Sequence, residues 1–376
     1  MKVNPNRSIM MTFISITYTK KSHFKEPLTW LHRVRAYIGI LDALSRSYCV
    51  ISIDRINYHG DLFLNGVQHH FPDYGGNRLS AAWKLNRYAR SLKPDVVLVQ
   101  SMLFPLQVIL LRIQLGRRAK ILVQNHAEGP GSRYRRPFQR LADSFTDAYL
   151  FTAKELGAEW VEQHIIRRPG KIREVMEASS VFKLMDRGEA RSHKNIQGSP
   201  VFLWVGRLDQ NKDPLTVLRA FLKFRAARPS CRLYMIFHTS GLLPEIEELL
   251  DHTPGGRESV VLIGEQAHEE MSYWYNAADF ILSGSHYEAG GIAVCEAMSC
   301  GCIPVLTDIH SFRKMTVDGS CGILYEAGNE QSLLSALERT SGMDLATERE
   351  KVLRQFRSAL SFEAIAGQIG DIADSL

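Results

Sequence analysis

Short apolar runs alternate with amphipathic stretches along most of the chain. Thr12 to Tyr18, Cys49 to Ile53, Asp95 to Gln100, Lys120 to Gln124 and Asp147 to Phe151 have the length and β-branched content of buried strands. Helical spacing fills the intervals, over Trp30 to Leu44 and Leu79 to Leu92. Lys183 to Ser199 is polar, lacks periodicity and closes on Pro200, so it reads as a linker. A second series then begins, with strands at Val201 to Val205, Arg232 to Phe237, Val260 to Ile263, Phe280 to Leu282 and Ile303 to Leu306. Helices are expected between them near Lys212 to Ala227, Pro244 to Leu250, Glu269 to Ala277 and Gly291 to Ser299, with a last one over Phe362 to Ala373. Strand–helix alternation of this kind predicts parallel sheets covered on both faces. The expectation is an α/β chain of two Rossmann-like domains, residues 1–185 and 200–360.

A chain of 376 residues is long for a single core and suits two such domains. The most apolar stretch, Val96 to Leu111, has 16 residues and contains Gln100, Pro105 and Gln107. A bilayer span needs about 20, so this reads as a strand followed by a core helix. Met1 to Met11 lacks the apolar core of a secretory signal. The six cysteines form no CxxC pair, as expected of reduced cytoplasmic thiols. Cys300 and Cys302, two apart, do not have zinc-ligand spacing, and no metal site is expected.

Net charge is +6, but it is unevenly placed. Through Phe182 there are 27 Lys and Arg against 14 Asp and Glu, a balance of +13; the remainder has 19 against 26, or −7. Arg112, Arg117, Arg118 and Lys120 make one basic cluster, Arg133, Arg135, Arg136 and Arg140 a second, and Arg167, Arg168, Lys171 and Arg173 a third. Such runs are either solvated helix faces or a surface for anionic lipid headgroups or an anionic acceptor. They lack interleaved aromatics and match no nucleic-acid module, so no nucleic-acid partner is expected.

Open parallel sheets bind ligands beyond the carboxyl ends of their strands. No GxGxxG follows Tyr18 or Phe237 and no Walker loop occurs, which disfavours nicotinamide dehydrogenases and P-loop ATPases. After Val201 to Val205 comes Gly206-Arg207-Leu208-Asp209-Gln210-Asn211-Lys212. A diphosphate there would meet Arg207 as a planar fork and Lys212 as a point charge. After Phe280 to Leu282 comes Ser285-His286-Tyr287-Glu288-Ala289-Gly290-Gly291, where a Gly-Gly pair opens a helix carrying Glu296. Glycines let a ligand approach the backbone, and first-turn amides with the helix dipole favour an anion.

Together these segments resemble the family-4 retaining glycosyltransferases (glycosyl transferases group 1), whose C-terminal domain carries G-R-x4-K and E-x7-E. Glu288 and Glu296 have the second spacing. The text around them matches as well, at Tyr275-Asn276-Ala277-Ala278-Asp279, Glu296-Ala297-Met298-Ser299-Cys300-Gly301, Ile303-Pro304-Val305 and Asp318-Gly319. The likeness is specific over Phe202 to Leu337 and fainter upstream, at Lys93-Pro94-Asp95-Val96-Val97 and Asp147 to Arg173.

The resemblance implies a GT-B fold: two facing Rossmann-like domains, with the C-terminal helix of residues 361–376 crossing back to the first. It implies transfer of a hexosyl group from a UDP- or GDP-sugar to a hydroxyl with retained configuration, without a metal or other cofactor. Arg207 and Lys212, with Gly206 between strand and loop, would hold the donor diphosphate. Glu288 would contact the transferring sugar, Glu296 the ribose, and Gly290 and Gly291 would supply amides. His126 sits where the family has a histidine directed at the donor sugar. The expected setting is cytoplasmic, peripheral to an anionic membrane, on a lipid-linked or anionic acceptor in surface polysaccharide or glycolipid synthesis. A nucleotide-sugar epimerase and a catalytically silent partner-binding homologue are the alternatives.

Several departures from the family are visible. Glu288-Ala289-Gly290-Gly291 stands for E-G-F-G, and the glycine-rich loop after the first strand is missing. His238-Thr239-Ser240-Gly241 replaces a glycine-rich turn, and Glu177-Ala178-Ser179-Ser180 replaces an Asn-Gly near the domain junction.

Overall fold

The protein is described by a computed structural model covering residues 10–75 and 77–376. The opening segment read as lacking a signal core lies, up to Ile9, outside the described residues. Contacts divide the chain into two compact units, residues 10–179 with Phe362–Leu376, and Ser180–Ser361.

The first unit holds eight strands: β1 (Thr12–Lys21), β2 (Cys49–Ile56), β3 (Gly60–Leu64), β4 (Val67–Phe71), β5 (Val96–Gln100), β6 (Lys120–Gln124), β7 (Ala148–Phe151) and β8 (Ile172–Glu174). They lie in the order β3-β4-β2-β1-β5-β6-β7-β8, parallel except for the β3–β4 hairpin at one edge. The hairpin turns on Asn65-Gly66, both at positive φ (50° and 85°), as a two-residue turn between twisted strands requires. The region read as one helix from Trp30 is two, Pro27–Arg33 and Arg35–Leu44, broken at Val34 with φ −106° and ψ 20°. One face of the sheet packs Ile14, Ile16, Val97, Val99, Ile121 and Val123 against the helices Arg78–Ser91 and Pro105–Leu115. Among the helices elsewhere in this unit, Phe362–Asp374 lies on Arg35–Leu44, where the Phe362 ring occupies the space a Cβ on Gly39 would need.

The second unit holds β9 (Val201–Val205), β10 (Arg232–Ile236), β11 (Val260–Gly264), β12 (Phe280–Ser283), β13 (Ile303–Thr307) and β14 (Ile323–Tyr325). All are parallel, in the order β11-β10-β9-β12-β13-β14, the 3-2-1-4-5-6 sequence of a doubly wound nucleotide-binding sheet. Phe202, Phe221, Phe224 and Phe280 form the centre of its core.

One local device recurs at the amino edge of both sheets. Asp95, Asp147 and Asp279 each directly precede a strand, β5, β7 and β12. In each case the Asp amide donates to the carbonyl of a residue on the neighbouring strand, and its carboxylate accepts that same residue's N–H. The partners are Thr12 (2.9 and 2.7 Å), Ile121 (2.9 and 2.7 Å) and Val201 (2.9 and 2.8 Å). Register is pinned at the point where each pair of strands begins.

Asp279 also corrects the linker reading of Lys183 to Ser199. Residues Arg187–Lys194 are a helix, started by Asp186, whose side chain accepts from the Glu189 amide, and ended by left-handed Asn195. Arg187 and Arg191 both reach the buried Asp279 carboxylate, the latter at 2.9 Å. Asn276 ties the preceding residues down, accepting from the Met185 amide and donating to the Lys183 carbonyl. The apparent lack of periodicity reflects a helix held by ion pairs instead of an apolar stripe. Asp279→Ala should therefore destabilise the second unit by about 3 kcal/mol, because it strips two arginines of their shared partner. Urea unfolding monitored through Trp204 and Trp274 measures this.

Candidate functional site

The strand order reverses between β9 and β12, whose crossovers leave to opposite sides and open a crevice at their carboxyl ends. The loops after these strands, residues 206–213 and 284–291, are the two the sequence singled out. They are joined by reciprocal bonds. The Asn211 side chain donates to the Tyr287 carbonyl (3.1 Å) and accepts from its amide (3.1 Å), while the His286 amide donates to the Asn211 carbonyl (2.8 Å). Gly284 permits this approach: a Cβ there would lie 2.8 Å from the Asp213 carbonyl and 3.0 Å from that of Lys212.

Across this seam Lys212 and Glu288 form an ion pair, both largely buried. Glu288 Oε1 also accepts from Ser285 Oγ at 2.7 Å, and its carbonyl accepts from Ser311 Oγ at 2.5 Å. Thr307 Oγ1 holds the Ser285 carbonyl at 2.6 Å. The glutamate is thus fixed by side chains from three segments. Arg207, half-exposed, pairs with Asp209 at 3.0 Å, and the Asp209 carboxylate also accepts from the Lys212 amide at 3.0 Å. Gly206 abuts the Trp204 ring, where a Cβ would stand 3.0 Å from it.

The helix Ile292–Ser299 begins at Gly291, which is left-handed (φ 50°) and has no side-chain cap. A Cβ on Gly291 would meet the Phe312 ring at 2.8 Å, so both conformation and space exclude other residues. Val294 and Cys295 amides return to the Gly291 carbonyl, while those of Ile292 and Ala293 precede the first intrahelical bond and point along the dipole. A cleft lined by Lys212, Ser283, Glu288, Gly291, Ile292 and Ala293 opens here. Gly290 is buried beside it.

Glu296 is placed differently from Glu288. It is buried one helical stretch further on, with Oε1 2.7 Å from His268 Nε2 and Oε2 accepting from Tyr275 OH at 3.0 Å. Phe182 stacks on His268 with ring centroids 4.6 Å apart. Burial first, then the Glu296 charge, pushes the Tyr275 hydroxyl well above the ordinary tyrosine range, so it remains a donor. A carboxylate has about four acceptor positions, so two remain after these bonds.

His126 lies in the first unit, two residues past β6. Its Nδ1 is 2.5 Å from Glu177 Oε2 and its Nε2 is 2.8 Å from Gln100 Oε1. Gln100 Nε2 in turn donates to Tyr37 OH at 2.5 Å. Burial disfavours the charged ring, but the Glu177 hydrogen bond and the charges of Glu177 and Glu128 outweigh it, and the pKa is raised. In the imidazolium form so favoured, both ring N–H groups donate, one to each acceptor. Glu177, noted in the sequence only as a departure, is the partner that sets this state.

The cysteines beside the site helix are buried, and burial pushes the Cys300 thiol up to about 12. The Cys300 thiol donates to the Lys183 carbonyl at 3.8 Å.

Residues 186–352 match the family model described as glycosyl transferases group 1. This segment is similar to group 1 glycosyl transferase domains. The chain is 27% identical over 168 residues to a D-inositol 3-phosphate glycosyltransferase of Streptosporangium roseum, covering 43% of this chain and 39% of that protein. It is 24% identical over 209 residues to the alpha-D-kanosaminyltransferase of Streptomyces kanamyceticus, covering 48% and 54%. The chain thus spans about half the length of the curated relatives it matches. In fold it is similar to a sucrose-phosphate synthase of Thermosynechococcus elongatus, with TM-score 0.69, 16% identity and 97% and 98% of the chains covered. It is likewise similar to Anabaena HepE, solved in complex with UDP, with TM-score 0.71, 15% identity and coverage of 97% and 100%. Two Rossmann-like domains of the GT-B type are the architecture.

Within the second unit, sequence reading found the residues of the crevice but not those that position them. Asn211, Gly284, Ser285, Thr307 and Ser311 went unnoticed, although Gly284 stands directly after a strand, where backbones converge. Gly284→Val should force the two loops apart and cost about 1–3 kcal/mol, in the range of overpacked sites; thermal unfolding of the variant measures it. A second outcome concerns His126. Because its folded pKa lies above the unfolded value near 6.5, its stabilising contribution is complete below that pH. It disappears as pH rises through the folded value. Urea midpoints should fall over that window in the native protein, and Glu177→Gln should flatten the fall.

Proposed function

We propose that the protein is a retaining hexosyltransferase that moves a sugar from a UDP- or GDP-sugar to a hydroxyl. The observation that carries this reading is the Lys212–Glu288 ion pair, set at the mouth of an uncapped helix where the strand order reverses. A diphosphate at that helix mouth would meet the Ile292 and Ala293 amides and compete with Glu288 for the Lys212 ammonium. Arg207 would close over it from the rim. Released from Lys212, Glu288 would remain held by Ser285 and face the transferring sugar, stabilising charge that develops as the glycosidic bond breaks. Glu296, already fixed by Tyr275 and His268, has acceptor capacity left for ribose hydroxyls.

No side-chain nucleophile is required: the acceptor hydroxyl attacks from the face the diphosphate leaves, and a leaving phosphate oxygen takes its proton. We propose that His126, in the first unit, acts through its imidazolium form, which the Glu177 hydrogen bond favours and in which both ring N–H groups donate. Fixed cations and a helix terminus supply the positive charge that a metal supplies elsewhere, so activity should survive EDTA. We infer a lipid-linked or anionic acceptor at a membrane surface, in the assembly of a polysaccharide or glycolipid.

The competition for Lys212 gives the test its sign. Lys212→Ala should weaken UDP or GDP binding by about 1.5–3 kcal/mol, as for a lost charged hydrogen bond. Glu288→Gln should leave that binding equal or tighter while lowering kcat on the order of 10²-fold. Calorimetry and turnover with each nucleotide sugar measure the two effects. Weaker nucleotide binding in Glu288→Gln, or native turnover, would overturn the assignment.

A further inference from the structure

The helix Arg136–Asp143 has its polarity reversed. It buries Gln139 and Asp143, and it turns Phe138 and Leu141 outward, 46% and 51% exposed. The inward polar groups are satisfied. Gln139 accepts from the Gly131 amide at 3.1 Å, and Asp143 pairs with Arg167 at 3.2 Å and Lys171 at 3.1 Å. Outward apolar side chains therefore are not the residue of a poorly formed core; the helix is built this way round. Tyr134, two residues before it, is 84% exposed.

The surface extends beyond this helix. Arg136–Asp143 packs beside Pro105–Leu115, which packs beside Arg78–Ser91. Their outer sides carry Ile113 at 61% exposure and Trp83 at 47%. Charge on this stretch is one-sided: from Tyr74 to Ala142 there are thirteen Lys and Arg and only two acids, Asp95 and Glu128. Arg133 and Arg135 flank Tyr134 directly, and both are exposed. No helix among the described residues is long and apolar enough to cross a membrane, so contact with lipid would be at the surface.

We propose that this three-helix face is a docking surface for an anionic lipid bilayer. Phe138, Leu141, Tyr134, Ile113 and Trp83 enter the interfacial region, and the surrounding arginines meet lipid phosphates. Charge complementarity decides for this occupant. A second copy of the chain would set like charge against like charge, whereas an anionic bilayer offers both the apolar layer and the opposite charge. The proposal gives the membrane contact inferred above its surface; it does not depend on which nucleotide sugar fills the donor crevice.

Trp83 supplies an internal reporter, because Trp30, Trp160, Trp204 and Trp274 are all buried. The intact protein is mixed with vesicles of phosphatidylcholine alone or with added phosphatidylglycerol, over a salt series from about 0.1 to 1 M, across which the screening length shrinks from about 10 to 3 Å. Binding should require phosphatidylglycerol, decline with salt, and bring Trp83 within quenching range of brominated acyl chains. Arg133→Glu with Arg135→Glu should abolish it. Phe138→Ser with Leu141→Ser should lower partitioning at least about tenfold, since two apolar side chains lose their burial in lipid. UDP binding, measured alongside, should be unchanged in all variants; that separates loss of docking from loss of fold or of the donor site. Absence of vesicle binding at low salt, binding without Trp83 quenching, or undiminished binding by the Phe138/Leu141 variant would overturn the proposal. So would a concentration-dependent dimer that this variant disrupts and that excludes vesicles.

Discussion

Three aspartates hold the two sheets in register. Asp95, Asp147 and Asp279 each close a two-bond ring with one residue of the adjacent strand, at the start of β5, β7 and β12. The side-chain period of a strand is two, so a slip of one residue would exchange the side chains packed on the two faces of the sheet. Pinning the amino ends also fixes where the strands finish. In the second unit this decides that the loops after β9 and β12 emerge side by side, at the strand-order reversal. The crevice at the carboxyl edge is thus positioned by one carboxylate, Asp279, at the other end of the same strands.

Asp279 shows how much such a residue can carry. Its carboxylate receives a strand amide and two arginines from a helix that precedes the sheet in sequence. Buried charge is costly when unpaired, and here the pairing draws an otherwise polar segment into the fold. His126 follows the same logic in the first unit, where burial disfavours the charged ring but the Glu177 hydrogen bond and the charges of Glu177 and Glu128 favour it.

Much of this was legible beforehand because the two hydrophobic periods are strong. Five strands of each sheet and the helix after Gly291 read directly from apolar runs and a Gly-Gly pair, whereas β3, β4, β8 and β14 were not read. What escaped has physical reasons. The helix Arg187–Lys194 is stabilised by caps and ion pairs, which leave no apolar stripe to read. The β3–β4 hairpin carries an Asn65-Gly66 turn signal that was readable, but its alternating strands are short and lie at an edge. Glu288, Lys212 and Arg207 stood out as charges at strand ends, whereas Ser285, Ser311 and Asn211 act through hydrogen bonds that any loop serine or asparagine could have made elsewhere. The Lys212–Glu288 pairing was invisible because it joins residues 76 apart across the reversal.

The helix Phe362–Asp374 belongs to the first unit although it comes last in the chain. Its partner, Arg35–Leu44, leaves Gly39 bare so that the Phe362 ring can sit there. On the ribosome, therefore, the amino-terminal sheet is complete long before the piece that covers it exists. Roughly 180 residues separate the two parts, and at about 5–20 residues per second that interval lasts about 10–40 s. The later unit, being continuous in sequence, can finish first. Through that wait the surface around Gly39 stands uncovered, open to chaperones or to a misplaced helix from a neighbouring nascent chain.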